Sequence, residues 1–203
     1  GGGGGGGGGS TGVTGVRVLH ASVDSVPVDV LSSSASAAVV SQAKFAIASG
    51  YSALGSGTQV LSLTKAFNPT QVFDSFSVDY ASGERYSILL YGDHRAFGVG
   101  AALIKDLVPA DISGSAVRVV DGVTGAQALS VTVNGASAGA VGFGEAGEYV
   151  MVPAGQVTVA AARSSDGKAA ASSVINAQPG KAYTLLAAGE IGYYSKGVLF
   201  TDN

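Results

Sequence analysis

The order of short motifs along this chain repeats once, and this internal duplication limits the folds open to it. Val16-Arg17-Val18-Leu19-His20 opens the first half, and Val117-Arg118-Val119-Val120-Asp121 opens the second. Gly83-Glu84-Arg85-Tyr86 returns as Gly180-Lys181-Ala182-Tyr183. Two further pairs keep the same order: Tyr51 to Gly57 with Tyr149 to Gly155, and Leu103 to Asp106 with Leu199 to Asp202. Matches in one order at a nearly constant offset indicate a duplicated structural unit.

The duplication divides the chain into domains. A length of 203 residues is enough for two compact domains. The segment from Pro109 to Ser115 is rich in turn-forming residues and lacks periodicity, which is typical of a linker. We therefore predict a Gly-rich tail over 1–15, a first domain over 16–108, a linker over 109–115 and a second domain over 116–203.

Each unit carries the pattern of β-strands. Gln71 to Tyr80 alternates apolar and polar residues, which predicts a strand with one buried face. Tyr86 to Tyr91 and Tyr183 to Ala188 are continuous apolar runs, which favour central strands covered on both faces. Several short strands in each unit predict an all-β fold of two tandem immunoglobulin-like β-sandwich domains, preceded by an extended Gly-rich N-terminal tail.

Turn residues locate some of the connections between strands. Asn134-Gly135 and Asp166-Gly167 are sequences typical of two-residue hairpin turns. The Ala- and Ser-rich stretch from Ser32 to Ala48 is ambiguous, since it fits a short helix or a pair of strands.

Several motifs resemble those of a bacterial secreted family known as domain of unknown function 4397. In the first unit they are Arg17 to Ser22, Val26 to Val30, Tyr51 to Gly57 and Gly83 to Gly92. The resemblance covers nearly all of residues 16 to 203, and it implies export, a sandwich fold and tandem copies, but no established chemistry. The second unit departs from the pattern, with Asp121 in place of the histidine and Ser130-Val131-Thr132-Val133 in place of the Pro-Val-Asp-Val segment.

Composition excludes several classes of partner. The net charge is −3 and no run of basic residues occurs, so nucleic acid is a poor partner. No apolar stretch is long enough for a transmembrane segment. The chain has no cysteine, so neither a disulfide nor a thiolate metal site can form. We expect no cofactor and no metal.

The residues able to support catalysis are few. With no cysteine and no Gly-x-Ser-x-Gly motif, the candidate bases are His20 and His94. His20 falls at the start of a predicted strand, where a hydrogen-bonded structural histidine is the favoured interpretation. Asp93-His94 is expected on a loop, and adjacent residues of an extended segment point in opposite directions, so the pair is a poor chelate even with Asp74, Asp79 or Asp106 nearby.

Carbohydrate chemistry has weak support. Asp24 and Asp29 are close in sequence, but a glycosidase needs two acids in one cleft, and the chain has no tryptophan for a sugar platform. Tyr91 and the pair Tyr193-Tyr194 could stack a sugar weakly. The sequence therefore predicts a protein that is not an enzyme.

The glycine tract at the start of the chain has three interpretations. It is an artificial linker, a spacer following a lipid anchor upstream of residue 1, or a segment that docks into another subunit. In each case the chain is expected to be a mature or trimmed form. Nine extended residues span roughly 30 Å, and without side chains they fit a groove or sheet edge closed to other sequences. Head-to-tail donation of such a strand yields a filament.

The third interpretation is the one that we favour. It predicts an extracellular structural protein of the bacterial outer surface that self-associates, with subunit contacts at Gly1, Gly2, Gly3, Gly4, Gly5, Gly6, Gly7, Gly8 and Gly9. The alternative is a lipid-anchored envelope protein that binds carbohydrate or a small ligand.

Overall fold

The computed structural model describes residues 13–95 and 98–203, and every regular element in these ranges is a β-strand. The first half contains seven strands: β1 Gly15–His20, β2 Val28–Ser32, β3 Val40–Ala43, β4 Gly57–Lys65, β5 Asn68–Tyr80, β6 Arg85–Asp93 and β7 Gly98–Lys105. The second half contains eight: β8 Ser115–Asp121, β9 Ala128–Val133, β10 Ala136–Gly142, β11 Val150–Val152, β12 Gly155–Arg163, β13 Ala169–Ala177, β14 Ala182–Glu190 and β15 Tyr194–Thr201. The all-β prediction is confirmed.

The strands form four sheets, two in each half of the chain. The first domain pairs the sheet β1-β6-β7 with the sheet β3-β2-β4-β5, and the second pairs β11-β8-β14-β15 with β10-β9-β12-β13. Each domain is therefore a β-sandwich with its own apolar core. The two apolar runs predicted to be central lie in β6 and β14, each of which has a strand on both sides.

The duplicated sequence folds with a duplicated register. β1 runs parallel to β6 and places Arg17 opposite Ser87, while β8 runs parallel to β14 and places Arg118 opposite Thr184. The residues that repeat in sequence therefore occupy equivalent places in the two sandwiches.

Of the two hairpin turns predicted from the sequence, one is confirmed and one is wrong. Asn134 and Gly135 form the predicted two-residue turn, with φ of 50° and 80°. The two-residue hairpin predicted at Asp166-Gly167 is wrong, because β12 ends at Arg163 and β13 begins at Ala169. The Asp166 carboxylate accepts hydrogen bonds from the Arg163 side chain and from the Lys168 N–H, which stabilises this longer loop. The stretch from Ser32 to Ala48 contains the end of β2, turns and β3, and no helix.

The central strands bury both of their faces because the two domains pack sheet against sheet. In β1, Val16 and Val18 belong to the core of the first sandwich, whereas Leu19 packs in a separate cluster with Leu186 and Phe200 of the second domain. The other buried members of this interdomain cluster are Ala21, Leu89, Val120, Ala188 and Val198. Because successive side chains of a strand point to opposite faces, one face of β1 packs in the core of the first domain and the other packs against the second domain.

The domains are tightly packed against each other at Ala21 and Gly122. A methyl group added at Gly122 would lie 2.4 Å from Ala21 Cβ and 3.2 Å from Leu89 Cδ1. The Ala21 carbonyl accepts the backbone N–H of Gly189 at 2.9 Å, which adds a hydrogen bond between the domains at the same place.

We predict that Gly122→Ala destabilises the protein by about 1–3 kcal/mol, since it overpacks this contact. Adding Ala21→Gly to the same chain should recover most of the loss by removing the opposing methyl group. Gly55→Ala is the control, because nothing lies within 4 Å of a methyl group there. Chemical denaturation measures all three variants, and a double variant no more stable than Gly122→Ala would contradict the assignment of the clash to Ala21.

Candidate functional site: the interdomain ion network

Eight polar side chains meet in the interface between the sandwiches, and we call them the interdomain ion network. Each domain supplies an arginine, an aspartate, a tyrosine and a hydroxyl residue from equivalent positions. They are Arg17, Tyr51, Ser87 and Asp106 from the first domain and Arg118, Tyr149, Thr184 and Asp202 from the second.

Each arginine bonds to a hydroxyl group of its own domain and to the aspartate of the other. Arg17 donates from Nε to Ser87 Oγ at 2.8 Å and from Nη2 to Asp202 Oδ1 at 2.8 Å. Arg118 donates from Nε to Thr184 Oγ1 at 2.8 Å and from Nη2 to Asp106 Oδ1. The two ion pairs thus cross the interface in opposite directions, which relates the domains by an approximate twofold axis.

The remaining carboxylate oxygens are satisfied within each domain. Asp106 Oδ2 accepts hydrogen bonds from the hydroxyl groups of Ser87 and Tyr51, the latter at 2.7 Å. Asp202 Oδ2 accepts from Thr184 at 2.6 Å and from Tyr149 at 2.7 Å.

The tyrosine rings also cover the arginines. The Arg17 guanidinium carbon lies 4.4 Å from the centre of the Tyr51 ring, and that of Arg118 lies 4.7 Å from the Tyr149 ring. These contacts add cation–π attraction to each ion pair.

Burial and neighbouring carboxylates shift the pKa values of the two arginines in opposite directions. Burial alone lowers the pKa of Arg17, but the carboxylates of Asp202 and Asp106 outweigh it and raise the pKa. The pKa of Arg118 is raised in the same way, chiefly by Asp106. Burial raises the pKa of the Tyr51 and Tyr149 hydroxyls, so both stay neutral hydrogen-bond donors. The network therefore contains two arginine cations and two aspartate anions, whose charges cancel.

Such an arrangement joins the two domains. Arg17 and Asp202 are wholly buried, and the groups named above bond to one another. Removing one member of a buried ion pair leaves an uncompensated charge, which is far more costly than breaking an exposed pair.

We predict that Asp202→Asn destabilises the protein by about 3–5 kcal/mol, because Arg17 loses its nearest carboxylate in a buried site. The control is Asp166→Asn, which breaks an exposed arginine pair with Arg163 and should cost less than about 1 kcal/mol. Urea denaturation of both variants gives the comparison. Equal losses would show that the buried pair contributes no more than a surface pair.

His20 occupies the structural role favoured by the sequence. Its Nε2 lies 3.0 Å from the Val26 carbonyl, which can only accept, so Nε2 carries the proton. Nδ1 is buried and has no hydrogen-bond partner among the described residues. Burial lowers the pKa of His20, against the opposing effect of the Val26 carbonyl, so the ring stays neutral.

Asp121 stands at the equivalent place in the second domain. Its Oδ1 accepts the Val123 N–H at 3.0 Å, while its buried Oδ2 has no hydrogen-bond partner in the described part of the chain. Burial raises the pKa of Asp121 to about 7, with a smaller contribution in the same direction from Glu145 and an opposing one from Val123 N–H. The carboxyl group therefore takes up a proton in the folded protein well before an ordinary aspartate would.

This pKa makes stability depend on pH in a definite direction. The pKa of Asp121 is about 7 when folded and 3.8 as its ordinary value, so between these values the folded protein binds more protons than the unfolded chain. The contribution of Asp121 to stability therefore falls as pH rises from about 4 to 7. We predict that Asp121→Asn becomes progressively more stable relative to the wild type over this range, by at most about 4 kcal/mol.

Urea denaturation at several values between pH 4 and pH 8 tests this, with the difference between the two proteins as the readout. The difference removes the opposite contribution of His20, which both proteins share. A difference that stays constant over the range would contradict the raised pKa.

The candidate acids Asp24 and Asp29 have structural roles in the backbone of different loops. Asp24 accepts the backbone N–H of His94 at 3.0 Å, whereas Asp29 accepts the backbone N–H groups of Gln42 and Phe67. Gln42 and Phe67 have φ of 53° and 62°, so Asp29 holds two residues in the left-handed conformation. The two acids serve separate loops and do not form a glycosidase pair.

The structure places Ser25 against His94, a contact that the sequence did not suggest. Ser25 Oγ lies 3.2 Å from His94 Nε2 and 2.6 Å from Ser22 Oγ. The Asp24 carboxylate bonds to the backbone of His94 and not to its ring. Among the described residues the pair therefore lacks the orienting carboxylate that an activated serine needs.

The candidate metal and sugar residues are also dispersed. Asp106 belongs to the interdomain ion network, and within the described ranges no group of three His, Asp or Glu side chains could hold a metal ion. Tyr91 packs edge-on to Phe143, Tyr194 packs against Phe45, and Tyr193 lies under the Arg95 guanidinium. Over the ranges that the structure covers, no helix has the length and apolar character needed to cross a membrane.

Comparison with known proteins agrees with the geometry. The model of a family described as a domain of unknown function, DUF4397, matches the chain twice, over residues 14–116 and 115–203. The chain therefore belongs to this family and contains two tandem copies of its domain. A search of curated proteins returned no match.

The sequence contains a signal for the interdomain ion network. Arg17, Ser87 and Asp106 all recur at equivalent positions, as Arg118, Thr184 and Asp202. Charged residues repeated within strands otherwise made of apolar residues indicate a buried ionic role. The predicted subunit contacts Gly1 to Gly9 lie outside the described residues.

Proposed function

We propose that this protein is a non-enzymatic structural subunit of the bacterial outer surface, assembled into a filament by its N-terminal glycine tract. The observation that carries the proposal is the interdomain ion network. It places four buried charged side chains in the contact between the domains, where they serve cohesion.

A filament subunit has to transmit force along its length without coming apart. The network and the apolar cluster around Leu19 and Leu186 join the two sandwiches through a desolvated interface. Domains joined in this way behave as one body, in contrast to domains joined only by a flexible linker. Such a body suits repeated head-to-tail contacts.

The start of the described chain is well anchored. Gly15 N–H bonds to the Glu84 carbonyl at 3.1 Å, and Thr14 Oγ1 lies 3.2 Å from the Tyr80 hydroxyl. A methyl group on Gly15 would lie 1.9 Å from the Ser52 carbonyl oxygen, so this position requires glycine. Five residues separate the glycine tract from β1, whose Arg17 belongs to the network.

Export is part of the same proposal. The chain has no cysteine and few charged residues, and the motifs that resemble those of a secreted bacterial family support export. The cell surface is therefore the proposed location.

We predict that deleting Gly1 to Gly9 abolishes assembly and leaves a folded monomer, because the docking strand is removed while the two sandwiches are untouched. Light scattering and electron microscopy of the full-length and shortened proteins provide the measurement. A third protein, in which the glycines are replaced by a flexible segment of equal length containing Glu and Ser, separates the need for glycine from the need for length.

Identical monomers from the full-length and shortened proteins would overturn the filament proposal. The alternative of a ligand-binding envelope protein would then be preferred. The groove of about 470 Å³ between Val26, Phe73 and His94 would be the first place to examine.

A further inference from the structure

Each sheet of the second domain ends in two edge strands in the described part of the chain, and two of these four edges lie side by side. They are the outer edges of β13 and β15, one from each sheet of the sandwich. The edges approach closely, since a methyl group on Gly197 would lie 3.1 Å from the Ser172 carbonyl oxygen. Together with the end of β12 they border a groove of about 490 Å³.

The duplication shows why this groove exists in the second domain. In the first domain, the pairing of β4 with β5 sets Leu63 opposite Asp74 and Thr64 opposite Val72. The corresponding pairing of β12 with β13 sets Ala161 opposite Ala171 and Ala162 opposite Ala169. The larger side chains that occupy this region in the first domain are replaced by the methyl groups of alanine in the second.

The two equivalent edge strands also differ in their protection against further pairing. β5 carries Pro69, which has no N–H to donate, and Asp74, whose carboxylate accepts the Ser75 N–H at 2.8 Å. β13 reads Ala-Ala-Ala-Ser-Ser-Val-Ile-Asn-Ala, with no charge and no proline, and its Val174 is 61% exposed. Charges and prolines are the usual means of blocking an edge, so β5 is blocked and β13 is open.

We propose that the edge of β13 and the adjoining groove receive the Gly1–Gly9 tract of a second copy of this chain. The inference rests on the proposed filament function and assigns its acceptor surface. The tract and β13 each have nine residues, so an added strand can pair along the full edge. Backbone hydrogen bonds supply the affinity in such strand addition.

Glycine is the residue that this acceptor requires. Ala162, Ala169 and Gly197 bring backbone to the wall of the groove, and a strand with side chains would be held away from it. Donation from the first domain of one copy to the second domain of the next uses two different surfaces. Such a contact does not close on itself and produces a chain of subunits.

The test places two lysines on the open edge, in the variant Ser172→Lys/Val174→Lys. Both side chains are exposed, so circular dichroism should show an unchanged fold. We expect this variant to lose at least about tenfold in affinity for the neighbouring copy and to stay monomeric in light scattering. The matched control is Ser75→Lys/Ser77→Lys, which changes the corresponding exposed positions of β5 and should assemble normally.

Mixing two defective proteins separates the acceptor from the donor. The protein lacking Gly1 to Gly9 keeps the acceptor, and the Ser172→Lys/Val174→Lys variant keeps the donor. The mixture should give a one-to-one dimer and no longer species. If the lysine variant assembles as the wild type does while the shortened protein does not, the acceptor assignment is overturned and the filament proposal stands. If the full-length protein itself never assembles, both fail.

A cross-linking experiment keeps the assignment testable if the lysine variant misfolds. The chain has no cysteine, so Gly5→Cys and Val174→Cys can be introduced in separate copies without competing thiols. Oxidation of the mixture should give a disulfide-linked dimer in at least about tenfold higher yield than a mixture with Ser77→Cys in place of Val174→Cys. Equal yields from the two mixtures would overturn the assignment.

Discussion

The pairing of Arg17 with Asp202 and of Arg118 with Asp106 is the constraint on which the rest of the structure depends. Taking a guanidinium out of water is costly unless a carboxylate and further hydrogen bonds compensate it. Each domain supplies the hydroxyl that bonds its own arginine, but the nearest carboxylate comes from the other domain. Arg17 also forms a longer ion pair with Asp106 of its own domain, at 3.7 Å, but the hydrogen-bonded ion pairs of both arginines form only once the two sandwiches have met.

This arrangement also fixes how the domains are oriented. An apolar interface alone tolerates sliding, whereas a guanidinium that must reach a particular Oδ1 atom does not. The contact of Ala21 with Gly122 adds a steric limit, because the backbone at Gly122 has no room for a side chain. The ion pairs fix the orientation of one domain relative to the other, and the contact at Gly122 limits the distance between them.

The sequence predicted what depends on local pattern. Alternation identified β5, and the apolar runs identified β6 and β14 as central strands, since periodicity follows directly from which faces are buried. It did not predict that the second covered face belongs to the other domain, because nothing in Leu89 or Leu186 distinguishes a core from an interface. The sequence also does not predict that Asp106 pairs with Arg118, because the two residues lie on opposite sides of a domain boundary and no local pattern contains their contact.

Errors at the turns have a similar origin. Asp166-Gly167 has the composition of a two-residue hairpin, but the ion pair of Asp166 with Arg163 stabilises a longer loop. Asp29 is close in sequence to Asp24, as a catalytic acid pair can be, whereas in the structure it holds Gln42 and Phe67 in backbone conformations that residues other than glycine rarely adopt. A carboxylate that accepts backbone N–H groups cannot be told from a reactive one by its neighbours in sequence.

The duplication separates what the fold requires from what each copy is free to change. The arginine, aspartate, tyrosine and hydroxyl of the network are kept in both copies, because losing one would leave a buried charge unpaired. The edge strands are not kept: β5 has Pro69 and Asp74, while β13 has neither a charge nor a proline. A sandwich is stable with either kind of edge strand, since its apolar core lies between the two sheets and not at their edges. An unprotected edge exposes a protein to pairing with other chains. The open edge of β13 in one copy of the domain and the blocked edge of β5 in the other give the contact between subunits a direction, because the second domain can accept a strand where the first cannot.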